Sequence, residues 1–135
     1  MADYVITSSN VQYSGTTVNG IAGEAIAAGD VVYKKAADQK IYKADANAAG
    51  AAPALGIAVN SAAVGQPVSY TAGGEVTLGA GVFTAAGQLV ALSANAGKLC
   101  PVADLASGHR VQLLGWSTDT DKMKVNPVDT GVTLA

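Results

Sequence analysis

The chain has 135 residues, of which 50% are hydrophobic, 13% charged and 5% aromatic, with a formal net charge of −2 and a pI near 5.1. This is the size of a single globular domain, and seven lysines and one arginine scattered along an acidic chain lack the basic footprint that nucleic-acid binding needs. Alanine accounts for 27 residues, so the core has to be built from 16 Val, 9 Leu, 5 Ile and few aromatics, while the charged fraction is about half the usual ~25%.

A thin core under a weakly charged surface implies burial against a partner or a sister subunit. Lipid is not expected to be that cover, because no apolar run approaches the ~20 residues of a membrane-spanning helix. Met1-Ala2-Asp3-Tyr4 has neither the basic segment nor the apolar stretch of a secretory signal, so the chain is expected to be made and used without export. Cys100 is the only cysteine and has no internal partner for a disulfide.

Residues 1–20 are rich in Ser, Thr and Asn, yet Tyr4-Val5-Ile6-Thr7 and Val11-Gln12-Tyr13 carry the β-branched and aromatic residues of short strands. The segment reads as an extended N-terminal arm. Such an arm can add itself as a strand to the edge of a neighbour's sheet, with Tyr4 and Ile6 on one side and Val5 and Thr7 on the other. It also fits an end strand of its own domain or a disordered tail. The candidate contact residues are Tyr4, Val5, Ile6, Val11 and Tyr13.

Residues 21–135 read as one β domain. Strands are predicted at Val31–Lys34, Ile41–Lys43, Leu55–Val59, Val68–Thr71, Val76–Leu78, Val82–Thr84, Gln88–Leu92, Lys98–Val102, Val111–Trp116 and Lys122–Val125. Gly, Asp and Asn clusters separate them, as turns require. Their spacing near ten residues predicts an all-β sandwich or barrel. Sixteen glycines spread through the chain weigh against helix. The Ala-rich stretch Asp45–Pro53 is interrupted by Gly50 and closed by Pro53, which leaves room for at most one short helix.

The second half echoes the first in order. Gly29-Asp30-Val31-Val32-Tyr33-Lys34 matches Gly79-Ala80-Gly81-Val82-Phe83-Thr84, and Lys40–Asp45 matches Lys98–Asp104. Ala54-Leu55-Gly56-Ile57 matches Leu113-Leu114-Gly115-Trp116, and Gly74–Gly79 matches Thr130–Ala135. Two similar β modules, about 21–78 and 79–135, are expected to pack into one body, since two copies are too few for a solenoid. Chance matching in an Ala/Gly/Val-rich chain is the alternative.

Reactive constellations are scarce. Cys100 and His109, the only histidine, are nine positions apart without a supporting motif, and read as a half-buried structural thiol and a surface side chain. Asp119-Thr120-Asp121 resembles the opening of a calcium loop, but Lys124 stands where the glycine belongs, so a hairpin turn is expected. Gly79-Ala80-Gly81 lacks the rest of a phosphate loop. Trp116 lies in an apolar strand and is expected in the core. No catalytic residue, metal or cofactor is expected, and the chain reads as a structural protein and not an enzyme.

The run Gly23-Glu24-Ala25-Ile26-Ala27-Ala28-Gly29-Asp30-Val31-Val32-Tyr33, then Lys40–Asp45, Ala54–Ala58 and Ala63-Val64-Gly65-Gln66-Pro67-Val68, resembles the capsid cement, or head decoration, proteins of tailed bacteriophages. The resemblance covers residues 20 to 80 well and the C-terminal half less clearly. It implies a β-tulip-like body on the outer surface of an icosahedral capsid, in virions assembled in the bacterial host. There it would clamp neighbouring subunits of the major capsid protein, as a homo-oligomer, a trimer at local three-fold positions. A tail, fibre or adhesive module that binds carbohydrate or a host protein is the alternative reading.

Overall fold

The computed structural model describes residues 3–14, 16–45, 54–93, 95–105 and 109–133. The predicted short helix or loop after Asp45 falls on 46–53 and lies outside them, as do Ser107 and Gly108. Helical structure among the described residues is confined to two 3-10 turns, Ser8–Asn10 and Val102–Asp104.

Runs of β-branched residues bounded by turn residues give strands, and eleven are present among the described residues. Val18–Ile21 (β2), Val31–Lys34 (β3), Ile41–Lys43 (β4), Gly56–Ala58 (β5) and Pro67–Thr71 (β6) form a first sheet in the order β2-β6-β5-β3-β4. Gln12–Ser14 (β1), Gly74–Thr77 (β7), Leu89–Leu92 (β8), Leu99–Pro101 (β9), Arg110–Ser117 (β10) and Lys122–Thr133 (β11) form a second, ordered β1-β7-β11-β10-β8-β9. Every neighbouring pair is antiparallel. The two sheets pack together without closing into a barrel, so the fold is the sandwich of the two expected alternatives.

Strand order repeats between the sheets. Counting β2 to β6 and β7 to β11 each as first to fifth, both sheets run first-fifth-fourth-second-third, with β1 added beside β7. Two of the sequence echoes fall on strands of equal rank: Lys40–Asp45 on β4 with Lys98–Asp104 on β9, and Ala54–Ile57 on β5 with Leu113–Trp116 on β10. The other two do not. Gly74–Gly79 covers the opening strand of its sheet, whereas Thr130–Thr133 is the end of the last. Gly29–Lys34 contains β3, but Gly79–Thr84 and the strand predicted at Val82–Thr84 form a turn. There the Val82 N–H is spent on the Gly79 carbonyl and the Phe83 N–H on the Thr120 carbonyl, at 3.3 and 2.9 Å, so no ladder can use them.

Side-chain alternation along the strands divides the core into two layers. Between the sheets, Val31, Ile57, Val76, Leu78, Phe83, Val90, Leu92, Leu99, Leu114, Met123 and Val125 make the main cluster. On the outer face of the first sheet, Val32, Ile41, Ala58, Val68 and Tyr70 make a second, capped by Ala22, Ile26 and Ala62. Adjacent Val31 and Val32 are both fully buried because β3 is covered on both faces.

Candidate interaction surfaces

The N-terminal segment lies on its own body. The Tyr4 N–H donates to the Leu99 carbonyl at 2.9 Å along the open side of β9, and the Asp3 carboxylate accepts from Ser93 Oγ at 2.6 Å and Asn95 Nδ2 at 2.8 Å. The Tyr4 ring meets Phe83 edge-on, with centroids 4.9 Å apart and planes at 68°. Ile6 and Val11 cross Gly29, where an added Cβ would stand 2.8 Å from the Ile6 side chain. The chain then pairs β1 with β7. Tyr4–Thr7 is not a ladder strand, since one backbone bond holds it and its side chains do the rest.

The five candidate contact residues therefore divide. Tyr4, Ile6 and Val11 pack partly buried against the main core, whereas Val5 is 84% and Tyr13 49% exposed. Of the five, Val5 presents most of its side chain and Tyr13 about half to a neighbour while the segment stays in place.

The four sheet edges are treated unequally. That of β9 is met by Tyr4. That of β4 is met by Ala22–Glu24: the Gly23 N–H donates to the Ile41 carbonyl and the Lys43 N–H to Glu24 Oε2. The remaining edges, β1 and β2, are joined by a short link and lie on the side away from β4 and β9. Each pairs with one strand only, and Tyr13, Val18 and Ile21 there are 43–51% exposed. Unpaired edges of this kind are templates for another strand.

Trp116 is a correction to the sequence reading. In an unbroken strand it would share a face with Gln112 and Leu114, both buried, and join the core. The ladder instead shifts between Leu113 and Gly115, against both β8 and β11. The shift puts Gly115 and Ser117 inside and Trp116 outside, because one slipped residue exchanges the faces of everything beyond it. Gly115 is required for this: its φ is +137°, and an added Cβ would meet the Lys124 carbonyl oxygen. Ser117 pins the new register, its Oγ donating to the Ala85 carbonyl at 2.7 Å and accepting from the Gln88 N–H at 2.9 Å. Trp116 is 40% exposed, opposite Leu89 at 51%.

A crevice of about 290 Å³ opens between residues 25–30 and the turn at 96–98, with Asp30, Lys43 and Lys98 in its walls. Asp30 is 93% buried, and its Oδ2 accepts the Ala27 N–H at 2.9 Å. Burial pushes its pKa up, against the Ala27 hydrogen bond and the Lys98 and Lys43 charges, while the Glu24 charge adds to the rise. The folded protein thus holds this proton more tightly than the unfolded chain, and stability falls as pH rises from the ordinary aspartate value of 3.8 through the raised one. Asp30→Asn, which keeps an acceptor for Ala27, is expected to melt higher than the wild type at pH 7. The gap should vanish below that window, which thermal melts across pH will check.

The remaining candidates separate in space or stay inert. Cys100 is buried in β9, and burial, with the nearby Asp3 and Asp104 carboxylates, pushes its thiol up to about 11. It is a neutral thiol at pH 7, the opposite of an activated one. His109 precedes β10, with β8 between that strand and β9, which sets the pair roughly 15 Å apart by strand geometry. Asp119–Asp121 form the turn between β10 and β11, where Asp119 Oδ1 accepts the Thr120 N–H at 2.7 Å. Among the described residues no group of three metal-ligating side chains occurs, and no helix is long and apolar enough to cross a membrane. Compared with protein-family models and with curated proteins, the chain has no match in either.

Proposed function

We propose that the chain is a structural virion protein that binds the outer surface of a tailed-phage capsid as a homo-oligomer and stabilises the shell by clamping subunits of the major capsid protein. The observation that carries this reading is the pair of sheet edges at β1 and β2, Gln12–Ser14 and Val18–Ile21, which have no further strand beside them among the described residues. The chain spends its own backbone on sealing β4 and β9, yet among the described residues no strand lies along the outer edges of β1 and β2, where Tyr13, Val18 and Ile21 are displayed. A strand of a neighbour fills such an edge with main-chain hydrogen bonds, and many weak patches on one shell add by avidity. The resemblance of residues 20 to 80 to head decoration proteins supplies the kind of neighbour.

Purified expanded capsids are expected to resist heat and chelator better with the protein at full occupancy than without it. Unchanged resistance would remove the reading. The second reading, an adhesive tail or fibre module, draws on the outward Trp116, and copy number per particle separates the two: hundreds for cement, a few to dozens for a tail part.

A further inference from the structure

We infer that the outer face of the six-stranded sheet, around Trp116, is covered by the same face of a second copy of this chain. The inference rests on the homo-oligomer in the reading above and names its interface, a two-fold pair in place of the three-fold grouping that the sequence resemblance implies.

The two sheets share a strand order but are not covered alike. On the outer face of the first sheet Ala22, Ile26 and Ala62 cover the central strands and leave the edge residue Val18, opposite Tyr70, 51% exposed. On that of the second, Ala91 and Cys100 are buried toward the β9 edge, but Leu89, Trp116 and Val128 stay 40–51% exposed. Leaving a tryptophan there is the work of the Gly115 bulge, so the exposure is built into the strand.

The pattern on this face is self-complementary. Leu113 is opposite Val128, and Trp116 is opposite Lys124, on β10 and β11. Lys122 follows Lys124 on the same face and lies beside Thr118, whose N–H donates to the Lys122 carbonyl. A two-fold axis parallel to the strands and between β10 and β11 lays β11 of each copy over β10 of the other. Val128 then meets Leu113, Lys124 meets the Trp116 ring, and Lys122 meets Thr118, each contact made twice. An ammonium over an indole face is the favourable cation–π arrangement, and no lysine is set against a lysine. Aligned packing of two sheet faces is the ordinary sandwich geometry, and isologous pairing closes the assembly.

Trp116 is the only tryptophan, so its emission reports this face alone. As the full-length protein is concentrated through the micromolar range, its sedimentation mass should double. In step, the emission should move to shorter wavelength and acrylamide quenching fall severalfold. Lys124→Glu and Val128→Lys, checked by circular dichroism for an unchanged fold, should stay monomeric with quenchable emission.

A wild-type protein that remains monomeric throughout overturns the inference. So does an oligomer in which Trp116 stays as quenchable as in the monomer, and so does protection that appears only when capsids are added, which would assign the face to the shell. Capsid co-sedimentation is scored separately: shell binding by a monomer sinks this interface alone, and pairing without shell binding sinks the capsid reading alone.

Discussion

Gly115→Ala is expected to lower the unfolding free energy by about 4 kcal/mol, from roughly 1–3 for a side chain held at this backbone angle and roughly 1–3 for forcing an atom into filled space. The added methyl would meet the Lys124 carbonyl oxygen, which is fixed in the β10–β11 ladder and has no rotamer by which to yield. Gly65 is the control. It too has a positive φ, +83°, but nothing lies within 4 Å of where an added Cβ would stand, so Gly65→Ala is expected to cost only about 1 kcal/mol. Urea unfolding followed by far-ultraviolet circular dichroism measures both. Equal losses at the two positions would mean that the close approach at Lys124 is not what fixes the bulge. The expected difference is large against the 5–15 kcal/mol that holds a domain together.

The same bulge explains what was legible in the sequence and what was not. Strands declare themselves locally: Val31-Val32-Tyr33 and Leu89-Val90-Ala91-Leu92 have β-branched and apolar content that no competing pattern overrides, and both are strands. The face a residue occupies is a cumulative property, since each position inherits its side from all those before it in the ladder. One shift at Gly115 therefore misplaces Trp116 although the strand around it is read correctly. The available signal was the isolated glycine inside an apolar strand, which marks bulges as well as interruptions. Tyr4–Thr7 has strand composition too, but a ladder needs a partner with free groups, and residues 3–7 meet β9 through a single backbone bond. Asp30 has the sequence of an exposed turn carboxylate. Its burial comes from residues far along the chain, Ile6 over Gly29 and the turn at Gly97, that no local window contains.

These features bear on how the surface is apportioned. The arm seals β9 with Tyr4, crosses one end of the sandwich and finishes as the open strand β1, so one segment both closes an edge and creates one. The five side chains that the sequence offers as contacts are thus divided between holding the body together and facing a neighbour.

Phe83→Ala is expected to cost about 4 kcal/mol, within the range for removing a buried phenylalanine, because Phe83 is 1% exposed and sits in the cluster between the sheets. Its edge-on contact with Tyr4 makes the effect non-local. Tyr4→Ala should cost about 2 kcal/mol, from a partly buried aromatic body and the lost ring contact. The double variant should fall short of the sum by about 1 kcal/mol, which is the size of one aromatic pair and well above the scatter between independent sites. Strict additivity would mean that the arm does not rest on Phe83 in solution, and that Tyr4 and Ile6 are free to serve a neighbour. Coupling of the expected size leaves Val5 and Tyr13 as the arm residues available for contact. In that case Val5→Asp and Tyr13→Asp should weaken capsid attachment with little change in melting temperature, because neither side chain belongs to a core cluster.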